Sequence, residues 1–481
     1  MLIASVVLYL VITIAIGLWG AKLVHNSKDY LVAGRRLPLY MSAATVFATW
    51  FGAETVLSVS ATFTRDGLGG IVADPFGSTF CLLFVAAFFA RAFYRMDLLT
   101  IGDFYHKRYN KTVEVATSVA ICISYLGWTA AQLTALGLTF SVLSGGALSL
   151  ETGIYLSAII VLGYTIWGGM WSVALTDLFQ SVVILIGLMA VAWLVGDMAG
   201  GTSKVIAAAF EAGKFQFWPA GGSKEWLWFL AAWVTMAIGS IPQQDVFQRV
   251  TSAKDEKTAI AGCLTGGLVY FAFAFVPIFI AYSALLIEPG YAKLFANEDA
   301  REIQRILPQL ILERTPLWTQ VVFFGALLSA ILSTASGALM APTALFTENV
   351  IRPFAPRMGD KQFLLLLRVV LVIFTLGALL FGLNSKSTMY EMVQNAYKVT
   401  LVSCVVPLAA GIYWKRATTP GAVLSVVCGL FSWGVAELVA GDATMPPQFV
   451  GLAFSLFGMV LGSLVPRDRA VAHAHTHSGR H

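Results

Sequence analysis

Apolar runs of about twenty residues, the length a helix needs to cross a hydrocarbon core, follow one another along most of this chain with short polar stretches between them. Read with that ruler, the pattern predicts about thirteen crossings, at roughly 2–22, 39–62, 75–95, 115–143, 152–168, 175–197, 226–247, 258–287, 317–347, 362–383, 389–413, 418–438 and 447–465. The expected fold class is therefore an all-α membrane protein, since lipid tolerates only backbone that satisfies its own hydrogen bonds. Composition agrees: 58% of residues are hydrophobic and 12% charged, whereas a soluble domain carries about 25% charged residues. The first run starts at Leu2 with no basic stretch before it and no small-residue cleavage site after it, so it is expected to remain as a helix.

Charge then orients the spans. With the N-terminus outside, the cytoplasmic segments hold Lys22, Lys28, Arg35, Arg36, Arg91, Arg95, Lys107, Arg108, Lys111, Arg249, Lys254 and Lys257, and further on Arg352, Arg357, Lys361, Lys415, Arg416, Arg467, Arg469 and Arg480. That is about twenty basic residues against about nine on the other face, as the positive-inside rule requires. The expected placement is a multi-pass protein of the plasma membrane with its C-terminus in the cytoplasm. Basic residues confined to short loops make a nucleic-acid partner a poor fit. The five cysteines, Cys81, Cys122, Cys263, Cys404 and Cys428, sit inside apolar runs without metal-ligand spacing and read as packing residues. His473, His475, His477 and His481 fall in a short polar tail that is expected to be disordered and is assigned no function.

Two spans carry signs of interruption. The second contains Ala48-Thr49-Trp50-Phe51-Gly52-Ala53-Glu54-Thr55, and the seventh contains Gly239-Ser240-Ile241-Pro242-Gln243-Gln244-Asp245. Glycine and proline are common in membrane helices, but here the first interruption is followed by a carboxylate and a hydroxyl and the second by two amides and an acid. Unwound backbone inside a membrane exposes carbonyls and amides where carriers bind solute and ion. The two interrupted spans are five apart, an odd number, so a second set of five helices enters from the opposite face, as in an inverted repeat. The expected units are 1–38, an extra helix and first cytoplasmic loop; 39–198, the first repeat; 199–225, an external loop; 226–416, the second repeat; 417–466, two C-terminal helices; and 467–481, the tail.

In the ninth span Ala330, Ser333 and Thr334 share one helical face at i, i+3 and i+4. Hydroxyls on such a face, with carbonyls freed at a helix break, suit a small hard cation such as sodium. Serine and threonine also bond back to their own helix or let helices pack closely.

At this point the chain resembles a known family. From Asp29-Tyr30-Leu31-Val32-Ala33-Gly34-Arg35 through Trp414-Lys415-Arg416 it is similar to the sodium:solute symporter family, whose LeuT-type five-plus-five inverted repeat follows one extra N-terminal helix. The resemblance implies Na+ as the coupling ion, in one five-oxygen site made by Ala48, Phe51, Ala330, Ser333 and Thr334. It also matches Trp167-Gly168-Gly169 leading to Asp177, and implies Asp177 as part of an inner sodium exit route or, with Ser336, of a second sodium site, where Gly337 replaces a hydroxyl. On the residues alone, Asp177 is equally a cap at the start of the sixth span.

Ala48-Thr49-Trp50, Gly127-Trp128-Thr129-Ala130-Ala131 and Phe247-Gln248-Arg249-Val250 resemble the high-affinity choline transporters within that family. The resemblance implies an aromatic cage from Trp50 and Trp128, which suits a cationic amine, with Gln243 standing where a third tryptophan is expected. Gln132, Gln243, Gln244, Glu54 and Thr55 supply hydrogen-bonding groups near the same depth and point to a polar solute: an amine, an amino acid or a carboxylate. Lys398, in Asn395-Ala396-Tyr397-Lys398-Val399-Thr400, can neutralise Glu54 or Asp177, bind a carboxylate solute or reach to the surface. The function expected is a sodium-coupled symporter importing a small polar organic solute. A proton-coupled carrier is the alternative, and a passive channel fits the internal repeat less well. Nothing in the chain suggests an enzyme.

Overall fold

The computed structural model of the chain describes residues 1–166, 169–297, 299–355, 357–439 and 445–464. Trp167, Gly168, Arg467, Arg469, Arg480 and the four tail histidines lie outside the described residues. Among those described, the chain is helical throughout, with a single isolated bridge between Leu37 and Ala253. Among the described residues, nine helices are long and apolar enough to cross a membrane, and eleven if two bent pairs each count as one.

The count of thirteen is not confirmed, because two of the expected runs fall short of that length. The run at 152–168 forms Leu150–Thr165, sixteen residues, which rises only about 24 Å. The run at 226–247 divides into the shorter helices Ser223–Ala237 and Gln244–Ser252, separated by an irregular stretch from Gly239 to Gln243. The bent pairs are Leu39–Trp50 with Glu54–Asp66, kinked by 54°, and Met389–Ser403 with Val405–Tyr413, kinked by 46°.

Burial separates the core from the periphery. The most apolar stretches of Lys111–Leu143 and Leu317–Phe354 are 83% buried, against 17% for Leu2–Ala21. The two central helices therefore carry polar groups where protein, not lipid, must satisfy them. Leu39–Trp50 lies against Gly169–Met198, Glu256–Ile287 and Leu317–Phe346, and Met389–Ser403 packs along Lys111–Leu143. The stretch between Glu256–Ile287 and Leu317–Phe346 forms Pro289–Ala296, Ala300–Arg305 and Ile306–Arg314, with Ile306, Leu307, Leu310 and Ile311 buried. Helix starts follow ordinary capping chemistry. Asp255 accepts the Thr258 N–H at 2.7 Å ahead of Glu256–Ile287, and that bond holds this exposed carboxyl below the usual carboxylate range.

Candidate functional site

The first break is built by Phe51 and Gly52. Phe51 leaves helical geometry at φ −86°, ψ 73°, and a Cβ on Gly52 would lie 2.3 Å from the Glu54 carboxylate, so only glycine lets that side chain fold back over its own turn. The freed Ala53 N–H donates to Gln132 Oε1 at 3.3 Å. The last carbonyls of Leu39–Trp50, which have no partner along the helix, face the hydroxyls of the ninth span. Ser333 Oγ lies 2.9 Å from the Ala48 carbonyl and 2.6 Å from Asp177 Oδ1. Thr334 Oγ1 lies 3.3 Å from the Ala48 carbonyl and 3.2 Å from that of Thr49. Each hydroxyl owns one proton, so acceptor oxygens outnumber the protons available to them. Phe51 and Ala330 are fully buried at the same junction, Ala330 one turn before Ser333 on the same face.

Asp177 is not a helix cap. Its helix begins by Gly169, about two turns earlier, which carries the carboxylate into the interior beside Ser333. Ser336 turns away from it, donating to the Ser333 carbonyl of its own helix at 2.9 Å. Arg249, counted from sequence among the cytoplasmic loop residues, is instead 3% exposed. Gln244–Ser252 continues the broken seventh span inward and carries it into the core, where its Nε donates to Thr49 Oγ1 at 3.0 Å.

Beyond the break lies a second polar cluster. Glu54 accepts Gln132 Nε2 at 2.7 Å and Trp128 Nε1 at 3.2 Å. Trp50 stacks on Tyr397 with ring centroids 6.4 Å apart, and Trp128 lies 6.1 Å from the same ring. Thr55 donates to Asp74 Oδ2 at 3.2 Å, and Tyr270 donates to the other oxygen of Asp74. A cavity of about 500 Å³ lined by Val72, Trp228, Phe229, Tyr390 and Gln394 lies one helical turn from Tyr397.

The remaining expected residues have other partners. Gln243 donates to Ser124 at 3.0 Å and to Thr400 at 3.3 Å, and Gln244 accepts the Ile101 N–H at 2.8 Å. Lys398 neutralises neither Glu54 nor Asp177. It faces the opposite way and pairs with Glu437 at 3.2 Å, on Thr419–Val439. The sequence analysis named Asp245 beside the second break without a role, and did not single out Asp74, Tyr270 or the burial of Arg249. Asp74 stands just ahead of the run read at 75–95, and only the structure places it within the span Leu68–Arg95, where an acid is functional by default.

The sodium:solute symporter family model matches residues 30–429. The chain belongs to the sodium:solute symporter family. It is 27% identical over 89% of its length to the high affinity choline transporter 1 of Homo sapiens, covering 75% of that protein. It is 26% identical over 88% of its length to a sodium/glucose cotransporter of Vibrio parahaemolyticus, covering 82% of it. In fold it is similar to a Na+-coupled sialic acid symporter in a substrate-bound outward-open state, with TM-score 0.81 and 17% identity over 96% of this chain and 97% of the other. A nucleobase-cation-symport-1 family transporter in a closed conformation aligns with TM-score 0.60 and 15% identity, over 91% and 95% of the two chains. This family member is thus a multi-pass membrane protein, a sodium-coupled symporter of a small solute and not an enzyme.

Proposed function

We propose that the chain imports a small organic cation with sodium, holding the ion at the Ala48, Phe51 and Ala330 carbonyls and the Ser333 and Thr334 hydroxyls. The observation that carries this reading is the surplus of oxygens over protons where Ser333 and Thr334 meet the end of Leu39–Trp50. Oxygens drawn together without protons between them repel, and a small hard cation removes that repulsion while orienting Ser333 toward Asp177.

The solute reading rests on Glu54. This carboxylate is 5% exposed, has neutral hydrogen-bond donors, and has no cationic partner among the described residues. A buried unpaired carboxylate is costly, and an ammonium group on the solute supplies the missing charge, with Trp50, Trp128 and Tyr397 flanking it for cation–π attraction. The names of the choline-transporter relatives support an amine. A carboxylate solute fits less well, since Lys398 is engaged by Glu437.

The units 39–198 and 226–416 each contribute to the junction and rock against one another around it. Asp177 hands the ion from Ser333 toward the inner exit. The distribution of basic residues supports a plasma-membrane protein with the N-terminus outside. The test is uptake of radiolabelled amines, amino acids and carboxylates into proteoliposomes under an imposed sodium gradient. Sodium-dependent, saturable uptake of an amine that Glu54→Gln loses is the expected result. Uptake of a neutral or anionic solute, unchanged in Glu54→Gln, overturns the solute assignment.

A further inference from the structure

Away from the ion and solute clusters, a cavity of about 690 Å³ opens where Ile101–Arg108, the turn at 414–418 and the end of Pro447–Leu464 meet. Arg108, Lys415, Arg416, Thr418 and Ser463 supply its polar wall, and among the described residues no carboxylate lines it. Lys415 and Arg416 are exposed, and neither has an ion pair or hydrogen bond among the described residues. The wall itself is fixed. Arg108 Nε donates to the Gly411 carbonyl at 2.9 Å, and its Nη2 donates to those of Trp414 and Ala417 at 3.3 and 3.1 Å. Thr418 Oγ1 donates to the Gly462 carbonyl at 3.1 Å, and the Thr418 N–H donates to Ser463 Oγ at 3.1 Å. Thr419–Val439 starts beside Thr418, and the positive end of its dipole adds to the charge there. A second feature leads into the same cavity. Phe457, Val460, Leu461 and Leu464 are exposed and share one helical face at i, i+3, i+4 and i+7, and Leu464 is itself part of the cavity wall.

We propose that this cavity holds the phosphate of an anionic phospholipid, with Lys415 and Arg416 as its counter-charges and the acyl chains along Phe457, Val460, Leu461 and Leu464. Basic residues in a membrane loop are accounted for by topology alone. A rigid, carboxylate-free cavity at the end of an apolar stripe is a different arrangement, and it matches a molecule that is anionic at one end and apolar along the rest. A basic pocket between membrane helices, on the face that the proposed orientation puts in the cytoplasm, is where anionic head groups bind. Arginine and lysine divide the work: the planar guanidinium of Arg416 can take two phosphate oxygens at once, and Lys415 acts as a point charge. An occupant also bears on the turn at 414–418, which Arg108 ties to Ile101–Arg108, so a bound lipid stabilises that joint.

The test is a titration of phosphatidylglycerol into the purified full chain in neutral detergent, with bound lipid counted by native mass spectrometry. Phosphatidylcholine, whose own cation neutralises its phosphate, is the comparison lipid, and sn-glycerol 3-phosphate is the soluble anion. Wild type is expected to bind phosphatidylglycerol in preference to phosphatidylcholine. Each cation near an anionic lipid contributes about 1 kcal/mol, so Lys415→Gln/Arg416→Gln should weaken phosphatidylglycerol binding about 30-fold. Each single variant should weaken it about 5-fold, which decides the matter if the double variant does not fold. Lys254→Gln/Lys257→Gln removes two other exposed cations and is expected to stay within about 2-fold of wild type. Thermal unfolding gives a second readout: phosphatidylglycerol should raise the midpoint of wild type and leave that of the Lys415 and Arg416 double variant unmoved. Wild-type lipid binding in that double variant, or an equal loss in the Lys254 and Lys257 control, overturns the proposal. Glycerol phosphate binding as tightly as the lipid also overturns it and makes the cavity a site for a soluble anion.

Discussion

Replacing Ser333 by alanine tests the ion site most directly. The change removes the oxygen that stands 2.9 Å from the Ala48 carbonyl and 2.6 Å from Asp177 Oδ1. A contact with a charged group contributes about 1.5–3 kcal/mol, so the sodium concentration for half-maximal uptake should rise about 10-fold to about 150-fold. The upper end is expected, because Ser333 touches both the Ala48 carbonyl and Asp177, so its loss removes a ligand and frees two neighbours that it holds in place. Thr334→Ala removes an oxygen without touching Asp177 and should fall toward the lower end. Ser336→Ala is the control: its hydroxyl serves only its own helix at 2.9 Å, and a change within about 2-fold is expected. Initial uptake rates against sodium in proteoliposomes supply the numbers, with solute saturation repeated at high sodium to show that the solute site survives. A folded Ser333→Ala protein with wild-type sodium dependence refutes the reasoning.

Two further outcomes follow from contacts outside the ion site. Lys398→Gln should leave sodium and solute half-saturation within about 2-fold of wild type, because the ammonium group pairs with Glu437 away from both clusters; loss of solute binding in that variant returns Lys398 to the site. Thr388→Ala removes the capping box that starts Met389–Ser403 and should cost about 0.5–2 kcal/mol of stability, measured by thermal unfolding in detergent, with the ion dependence of the surviving protein unaltered.

The part of the site most legible in sequence was the part written in local chemistry. Gly52 and Pro242, each with polar residues beside it, mark their breaks locally, and Ala330, Ser333 and Thr334 share a face by helical geometry alone. Their meeting with Ala48 was implied by the family resemblance and not by the residues alone. Glu54, Trp128 and Gln132 were singled out one by one, but their mutual hydrogen bonds are a matter of helix rotation. Asp177 was drawn toward a cap because its helix was started too late, where the apolar run begins and not where the backbone turns. Arg249 was taken for a loop residue because a basic group after a broken span usually marks the membrane surface.

Taken by itself, the sequence determined that the chain lives in lipid, roughly where its helices lie and where two of them fail. Apolar transfer free energy adds up along a run, and helix-breaking chemistry is local. Only the tertiary structure decided which polar groups face one another: Ser333 with Asp177, Arg249 with Thr49, Asp74 with Tyr270, and Lys398 with Glu437. A membrane helix is apolar toward lipid and toward its neighbours alike, so its hydrophobic pattern carries little record of which face turns inward. That choice is made by packing, and with it the placement of every buried charge.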